Sequence, residues 1–384
     1  MRSALISILR HEKEGKPFFR MDEIARIQEF LSSEDRSSNP LCCFQDSFGN
    51  KQSYDTKNDA GLHFYFTTYY KPIRQAANTT SLRTTLVELR SVQYFISHAQ
   101  RFGTEKPLYS PGIVRGNPAI AATNESLMGE VAERYGRDPR DTPDLINLTR
   151  VQEIFDEAKD QFCKSGIPSA ILKVVHSVEK HIDNIVCFDL GTFEADVCGP
   201  LVNNWGLRRC ATHHLLAFTI RDFLSGRPGG PPQLVFQHSQ YTDDTITVLK
   251  KQGCEVFRDN TTAFRHITEN TLVIWTGMEG PMPVPVKQVI ADFPFQATPL
   301  PLPGAMIWLE EEQTTLPKGM DPLEQFGQHL YGSRWNSLSV MDTPRTNQLH
   351  EGYDKHWLPS MPDHDPFHFI GKPLTVYTRK AAGS

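Results

Sequence analysis

Residues Asn184–Pro200 read NIVCFDLGTFEADVCGP. Ile185, Val186, Cys187 and Phe188 form a short apolar run that passes directly into Asp189-Leu190-Gly191-Thr192 and then into a small acidic patch. An unbroken apolar run closed by a glycine turn is the pattern of a strand buried on both faces. Gly191 permits a tight turn or a close ligand approach. The three-glycine fingerprint of a dinucleotide-binding turn is absent, and Asp189, Glu194 and Asp196 would repel a pyrophosphate. The same carboxylates suit a cationic ligand, most naturally a guanidinium, which pairs with them bidentately. A solvated acidic loop accounts for the same residues without any ligand.

Working outward from this strand, a regular alternation emerges. Strands are expected at Asn184–Phe188, Gln233–Gln237, Cys254–Phe257, Thr271–Trp275 and Ala305–Leu309. Helices are expected at Cys210–Leu224, Asp243–Gln252 and Val284–Asp292. Short apolar strands alternating with helices predict an α/β fold, a Rossmann-like parallel sheet with helices on both faces, over residues 176–310. Before it lie a mixed α/β region at 1–115 and a linker or lid with helices at 116–175. Within the first, a helix is expected over Met21–Leu31 and a strand in the aromatic run GLHFYFTTYY. Leu82, Leu86, Leu89, Val92 and Phe95 recur at helical spacing. Tyr109–Pro143, rich in Pro, Gly and Asn, reads as a long connection, and Thr149–Lys180 as helix broken near Gly166-Ile167-Pro168. Residues 311–384 read as an irregular tail that packs back on the core, since its tryptophans and phenylalanines would otherwise lie exposed.

Composition narrows the class further. The 384 residues are 39% hydrophobic and 22% charged with a formal net charge of −5, an ordinary globular balance with no general pull toward nucleic acid or anionic membrane. The apolar stretch near the N-terminus meets charge at Arg10, His11 and Glu12, so it reads as an amphipathic helix and not as a secretory signal or a membrane span. Seven cysteines without framework spacing fit a reducing, cytoplasmic setting. No metal or other cofactor is implied; the tail's PDHDPFHF has ligand types, yet two prolines and no helix to space them.

In open parallel sheets ligands bind beyond the carboxyl ends of the strands, and that rule ranks the remaining candidates. His213 shares a helical face with Leu216, Ala217, Ile220 and Leu224, which points it toward the sheet, while His214 sits on the shoulder with Phe218 and Arg221. Either is a core histidine or a general base beside the first strand's end. Arg208 and Arg209 precede them and hold a phosphate or are simply solvated. The second strand ends in VFQHSQYTDDT. Ser239 or Thr242 is suited to cap the next helix. Ser239, with His238 beside it, is also a candidate acyl-carrying nucleophile, although no GxSxG elbow surrounds it.

These pieces carry a resemblance. IVCFDLGT, ATHHLLAFTI, LVFQHSQYTDDTITVLKKQGCEVF, ENTLVIWTGMEGP, PVPVKQVIADF and PLPLPGAMIW, spread over residues 175–310, resemble the sensitivity-to-red-light-reduced (SRR) domain family. The resemblance covers about a third of the chain and implies a cytosolic or nuclear Rossmann-like domain without a defined reaction. The chain departs from the family at three strand ends: Asp189-Leu190-Gly191-Thr192 replaces a Gly-Leu-Gly-Ser type turn, His213-His214 replaces Gln-His, and Gln237-His238-Ser239-Gln240-Tyr241 replaces Gln-Asp-Pro-x-Tyr. A looser resemblance is to its fungal relatives, the arginine-containing cyclodipeptide synthases. That likeness implies a transferase of secondary metabolism acting on arginyl-tRNA and a second aminoacyl-tRNA. Asp189, Glu194, Asp196, His238 and Tyr241 would contact substrate, His213 or His214 would deprotonate the attacking amine, and Ser239 or Thr192 would carry an acyl group. A basic face for tRNA would draw on Lys71, Arg74, Arg83, Arg90, Arg208 and Arg209, for which solvated helix charge is the plain alternative. A non-enzymatic regulator acting through partners or a small ligand is the rival expectation. A nucleotide-binding oxidoreductase is disfavoured by the missing glycines.

Overall fold

The computed structural model describes residues 10, 13–32, 41–45, 51–55, 62–63, 66–69, 84–87, 114–115, 148–164, 167–176, 178, 181–193, 209–227, 229–238, 241–259, 261–275, 285–309, 344–357 and 374–380. Helix α1 (Met21–Ser32) is followed by six short strands paired antiparallel. They are β1 (Leu41–Gln45) with β2 (Lys51–Asp55), β3 (Leu62–His63) with β6 (Val114–Arg115), and β4 (Phe66–Tyr69) with β5 (Thr84–Val87). The helical spacing expected across Leu82–Phe95 is therefore overturned at Thr84–Val87. Threonine and valine, β-branched at three of those four positions, favour the extended chain.

The main sheet has seven strands: β7 (Asn184–Phe188), β8 (Gln233–Gln237), β9 (Glu255–Phe257), β10 (Thr271–Trp275), β11 (Ala305–Leu309), β12 (Tyr353–Trp357) and β13 (Leu374–Arg379). Their order is β12-β13-β11-β10-β7-β8-β9, with β11 through β9 parallel and β12 and β13 antiparallel. The expected α/β class is thus present as a mixed, mostly parallel sheet. The tail is not irregular where described: helix α7 (Pro344–Glu351) and the β12–β13 hairpin extend the sheet.

Strand side chains alternate between two faces. Ile185 and Cys187, Leu234 and Phe236, Leu272 and Ile274, and Ala305 and Ile307 share one core with α2 (Leu148–Lys164), α3 (Ile167–Val175), α4 (Arg209–Leu224) and α5 (Asp243–Lys251). Helix α2 supplies Val151, Phe155, Ala158 and Phe162 to that core, so the two helices before β7 build it and do not merely lead to it. Helix α4 lies between the sheet and α2 and α3, which is why Cys210 through Phe218 are all buried.

The opposite face carries Phe188, Trp275, Trp308 and Tyr377. A 3₁₀ turn (Thr262–His266), α6 (Val286–Ala291) and α7 cover it through the Phe188–Phe264 and His350–Tyr377 ring contacts and Lys287 over the Trp308 ring, and Phe293, just past α6, packs on Phe264. Here a buried clamp ties distant segments together. Arg345 on α7 pairs with Asp292 at the end of α6 and donates from Nη1 to the Lys16 carbonyl at 2.8 Å. Asp292 Oδ2 accepts the Phe19 amide at 2.7 Å, and Gln296 accepts from the Met21 amide at 2.9 Å while donating to the Phe19 carbonyl at 2.8 Å. No helix among the described residues is long and apolar enough to cross a membrane.

Removing the guanidinium while leaving its buried carboxylate is costly. Arg345→Ala is expected to destabilise the fold by about 3–5 kcal/mol in urea titration. It should also open the chain to trypsin at Lys16 and Arg20 before the core unfolds. Unchanged stability and proteolysis would show that the clamp does not hold residues 16–21.

Candidate functional site

The carboxyl ends of β7, β8 and β9 meet the first turns of α4 and α5, and most of the described candidate residues converge there. Immediately past β7 lies Asp189, which is 3% exposed and adopts φ +53°. This left-handed conformation is uncommon outside glycine, with Asp and Asn the best tolerated. Its amide still donates to the Gln237 carbonyl at 2.9 Å, so β8 holds the residue while the chain turns away. Gly191 completes the turn at φ +85°. Phe193 is fully buried, donates its amide to Thr245 Oγ1 at 3.3 Å, and packs its ring 4.9 Å from that of His214. The turn is therefore pinned between α4 and α5, with Thr192 at its partly exposed rim.

From β8, Gln237 and His238 enter the same corner buried, and the His238 amide donates to the Phe257 carbonyl at 3.1 Å. The Tyr241 amide returns to the His238 carbonyl at 3.2 Å. Thr242 caps α5, its side chain accepting from the Thr245 amide at 3.1 Å, as expected for one of the two capping candidates. Asp243 and Asp244 in the first turn complement the helix dipole. Arg258, just past β9, donates to the Tyr241 carbonyl and pairs with Asp243 at 2.7 Å, strapping the β8–α5 loop. Sequence reasoning missed Arg258; its place one residue beyond a strand end was the available signal.

The expected general base His214 is not on a shoulder. Its ring is fully enclosed among Phe193, Phe236 and Tyr241. Nδ1 lies 2.7 Å from the Cys210 carbonyl, which only accepts, so Nδ1 carries the proton. Nε2 then accepts from the Tyr241 hydroxyl at 2.7 Å. Burial lowers the His214 pKa to about 4, with the bond to the Cys210 carbonyl opposing. Burial also pushes the Tyr241 phenol well up, aided by the nearby acidic groups of Cys187 and Asp189. Both partners therefore stay neutral, and neither ring nitrogen is offered to a substrate. The pair ties α4 to the β8–α5 loop and so sets the height of the Asp189 turn.

His213 is 2% exposed on the adjacent position of α4. The structure brings together Asp189, Thr192, His214, His238 and Tyr241, while Ser239, Glu194, Asp196, Arg208, Lys71, Arg74, Arg83 and Arg90 lie outside the described residues, as does the Arg209 side chain. The buried thiols are poor nucleophiles: burial raises Cys187 well above its usual pKa and Cys254 to about 12. No protein-family model and no curated protein matches the chain.

The sealed imidazole makes stability depend on pH. The folded pKa of about 4 lies below the ordinary 6.5, so the unfolded chain takes up the proton first and stability falls as pH drops through this window. The loss is about 1.4 kcal/mol per pH unit, or about 3 kcal/mol across the window. Asp292 acts oppositely, because burial raises its pKa to about 6 and the folded state takes its proton first. Comparing wild type with His214→Gln isolates the histidine: the variant is expected to lose this slope in denaturation curves between about pH 6.5 and 4. Tyr241→Phe should cost about 1–3 kcal/mol by stranding Nε2.

Proposed function

We propose that the chain is an SRR-like protein with a Rossmann-like core that works as a cytoplasmic, tRNA-dependent cyclodipeptide synthase with one arginyl substrate. Supporting the Rossmann-like reading, the five parallel strands, ranked by chain position, lie in the order 3-2-1-4-5. The order reverses beside β7, and ligands of open α/β sheets bind in the crevice at such a reversal. The observation that carries the substrate assignment is Asp189, a buried carboxylate in a left-handed turn at that position. A fixed carboxylate there favours a guanidinium and repels a phosphate.

In this reaction the free amine of one aminoacyl ester attacks the carbonyl of the other. An amide forms, the ester C–O bond breaks, and the departing tRNA hydroxyl takes up a proton. A second such attack within the dipeptide closes the ring. His213 or His238 would serve as the base; His214 is bonded at both nitrogens. Ser239 or Thr192 is the acyl-carrying hydroxyl in a stepwise version. Lys71, Arg74, Arg83, Arg90, Arg208 and Arg209 are the residues assigned to tRNA.

A second reading, a regulator acting through partners or a small ligand, is favoured by one observation: the histidine best placed as a base is sealed into the core. Expression in a bacterium followed by mass spectrometry of the medium separates the two. The synthase reading predicts a cyclic dipeptide containing arginine, reduced at least tenfold by Asp189→Asn, which keeps the turn because Asn tolerates φ +53°. No new dipeptide, together with no protection of charged tRNA from hydrolysis, would overturn it.

A further inference from the structure

Helices α4 and α5 run back from β7 and β8 and end where β8 and β9 begin, at the amino ends of the strands and away from the Asp189 turn. There the ends of three helices are tied into one row. Arg227, just past α4, donates from Nη1 to the Val178 carbonyl beyond α3 at 2.6 Å, and His176 packs its ring 5.6 Å from that of Phe223. Arg221 in the last turn of α4 donates to the Gln252 carbonyl, at the C-cap of α5, at 3.2 Å. Lysines near a helix C-terminus ordinarily serve its dipole and its unpaired carbonyls. Here arginines already bond to the chain at two of these ends, so the exposed Lys173, Lys250 and Lys251 in the last turns of α3 and α5 lie outside those bonds. None of the three, nor Arg227, pairs with a carboxylate among the described residues, and Asp222 is taken by Arg221 at 3.0 Å. On α2, by contrast, Arg150 and Lys164 both pair with carboxylates of their own helix.

We propose that this row of helix ends is a docking surface for the phosphodiester backbone of a nucleic acid. Packed helices lie about 8–10 Å apart, so the ends of α3, α4 and α5 span about 16–20 Å, the length of about five nucleotides at 3.4 Å each. The charge complements a phosphate chain, and each lysine that meets a phosphate gains by releasing counterions. An anionic membrane is the poorer fit, because it takes up aromatic side chains, and Phe223 of this row lies under the Arg227 guanidinium at 5.2 Å with His176 against it. The surface is at the other end of the sheet from Asp189 and does not rest on the synthase reading. It holds a nucleic acid whether or not aminoacyl transfer follows.

The full chain is titrated against a short fluorescein-labelled single-stranded RNA, the DNA of the same sequence, and vesicles of phosphatidylserine and phosphatidylcholine, between about 50 and 200 mM sodium chloride. Saturable binding of oligonucleotide is expected, weakening steeply with salt. Lys173→Gln/Lys250→Gln/Lys251→Gln changes exposed positions only. It should bind at least tenfold more weakly and flatten the slope of log affinity against log salt by about 2, three contacts at about 0.7 each. Lys13→Gln/Lys159→Gln/Arg265→Gln removes the same charge from exposed positions elsewhere and should bind nearly as the wild type does. Binding of RNA alone assigns an RNA backbone, of DNA alone a DNA backbone, and of both a surface that reads phosphate only. The proposal is overturned if neither oligonucleotide binds, if the vesicles alone bind, if the lysine variant binds unchanged, or if both triple variants lose affinity equally.

Discussion

A parallel sheet has no face to spare for water, because its crossover connections put chain on both sides. That constraint organises this protein. One side of β7, β8, β10 and β11 is covered by α4, and α4 is covered in turn by α2 and α3. The other side is covered by a 3₁₀ turn, α6, α7 and residues 16–21. Every polar group caught between these layers must find a partner there or be costly. Three such groups define the molecule: His214 with Tyr241, Asp292 with Arg345, and Lys287 beside Trp308.

The partners found are of different kinds. His214 and Tyr241 meet as a neutral hydrogen-bonded pair, which suits a dry core because no charge needs solvating. Asp292 and Arg345 remain a charge pair and recruit the backbone of Lys16 and Phe19, so residues 16–21 and α7 are locked to the same corner. The consequence for function lies at β7. Its end is held by β8 through the Asp189 amide and by α5 through the Phe193 amide, with the His214–Tyr241 pair behind it. The backbone that carries Asp189 is thereby held in place, and a fixed backbone position is what selective recognition by its side chain would need.

Much of this was legible in the sequence, for identifiable reasons. Strands β7, β8, β10 and β11 are buried on both faces and show as continuous apolar runs with boundaries that match residue for residue. Strands β12 and β13 were not legible. YDKHW and LTVYTR mix polar and apolar residues at the antiparallel end of the sheet, amid composition that suggested a loop. The strand at Thr84–Val87 was hidden by leucines at helical spacing. Within the site, position was readable and partnership was not. His214 and Tyr241 are 27 residues apart, Asp292 and Arg345 are 53 apart, and nothing local in either segment announces the other.

On the proposed reading, Asp189 at the end of β7 recognises a guanidinium. Calorimetric titration of the full chain with argininamide and with citrullinamide, which has the same length but no charge, tests it most directly. Saturable binding of argininamide is expected, with at least tenfold weaker binding of citrullinamide and loss of that preference in Asp189→Asn. Equal affinity for the two amides in the wild type, or an undiminished preference in Asp189→Asn, would contradict it.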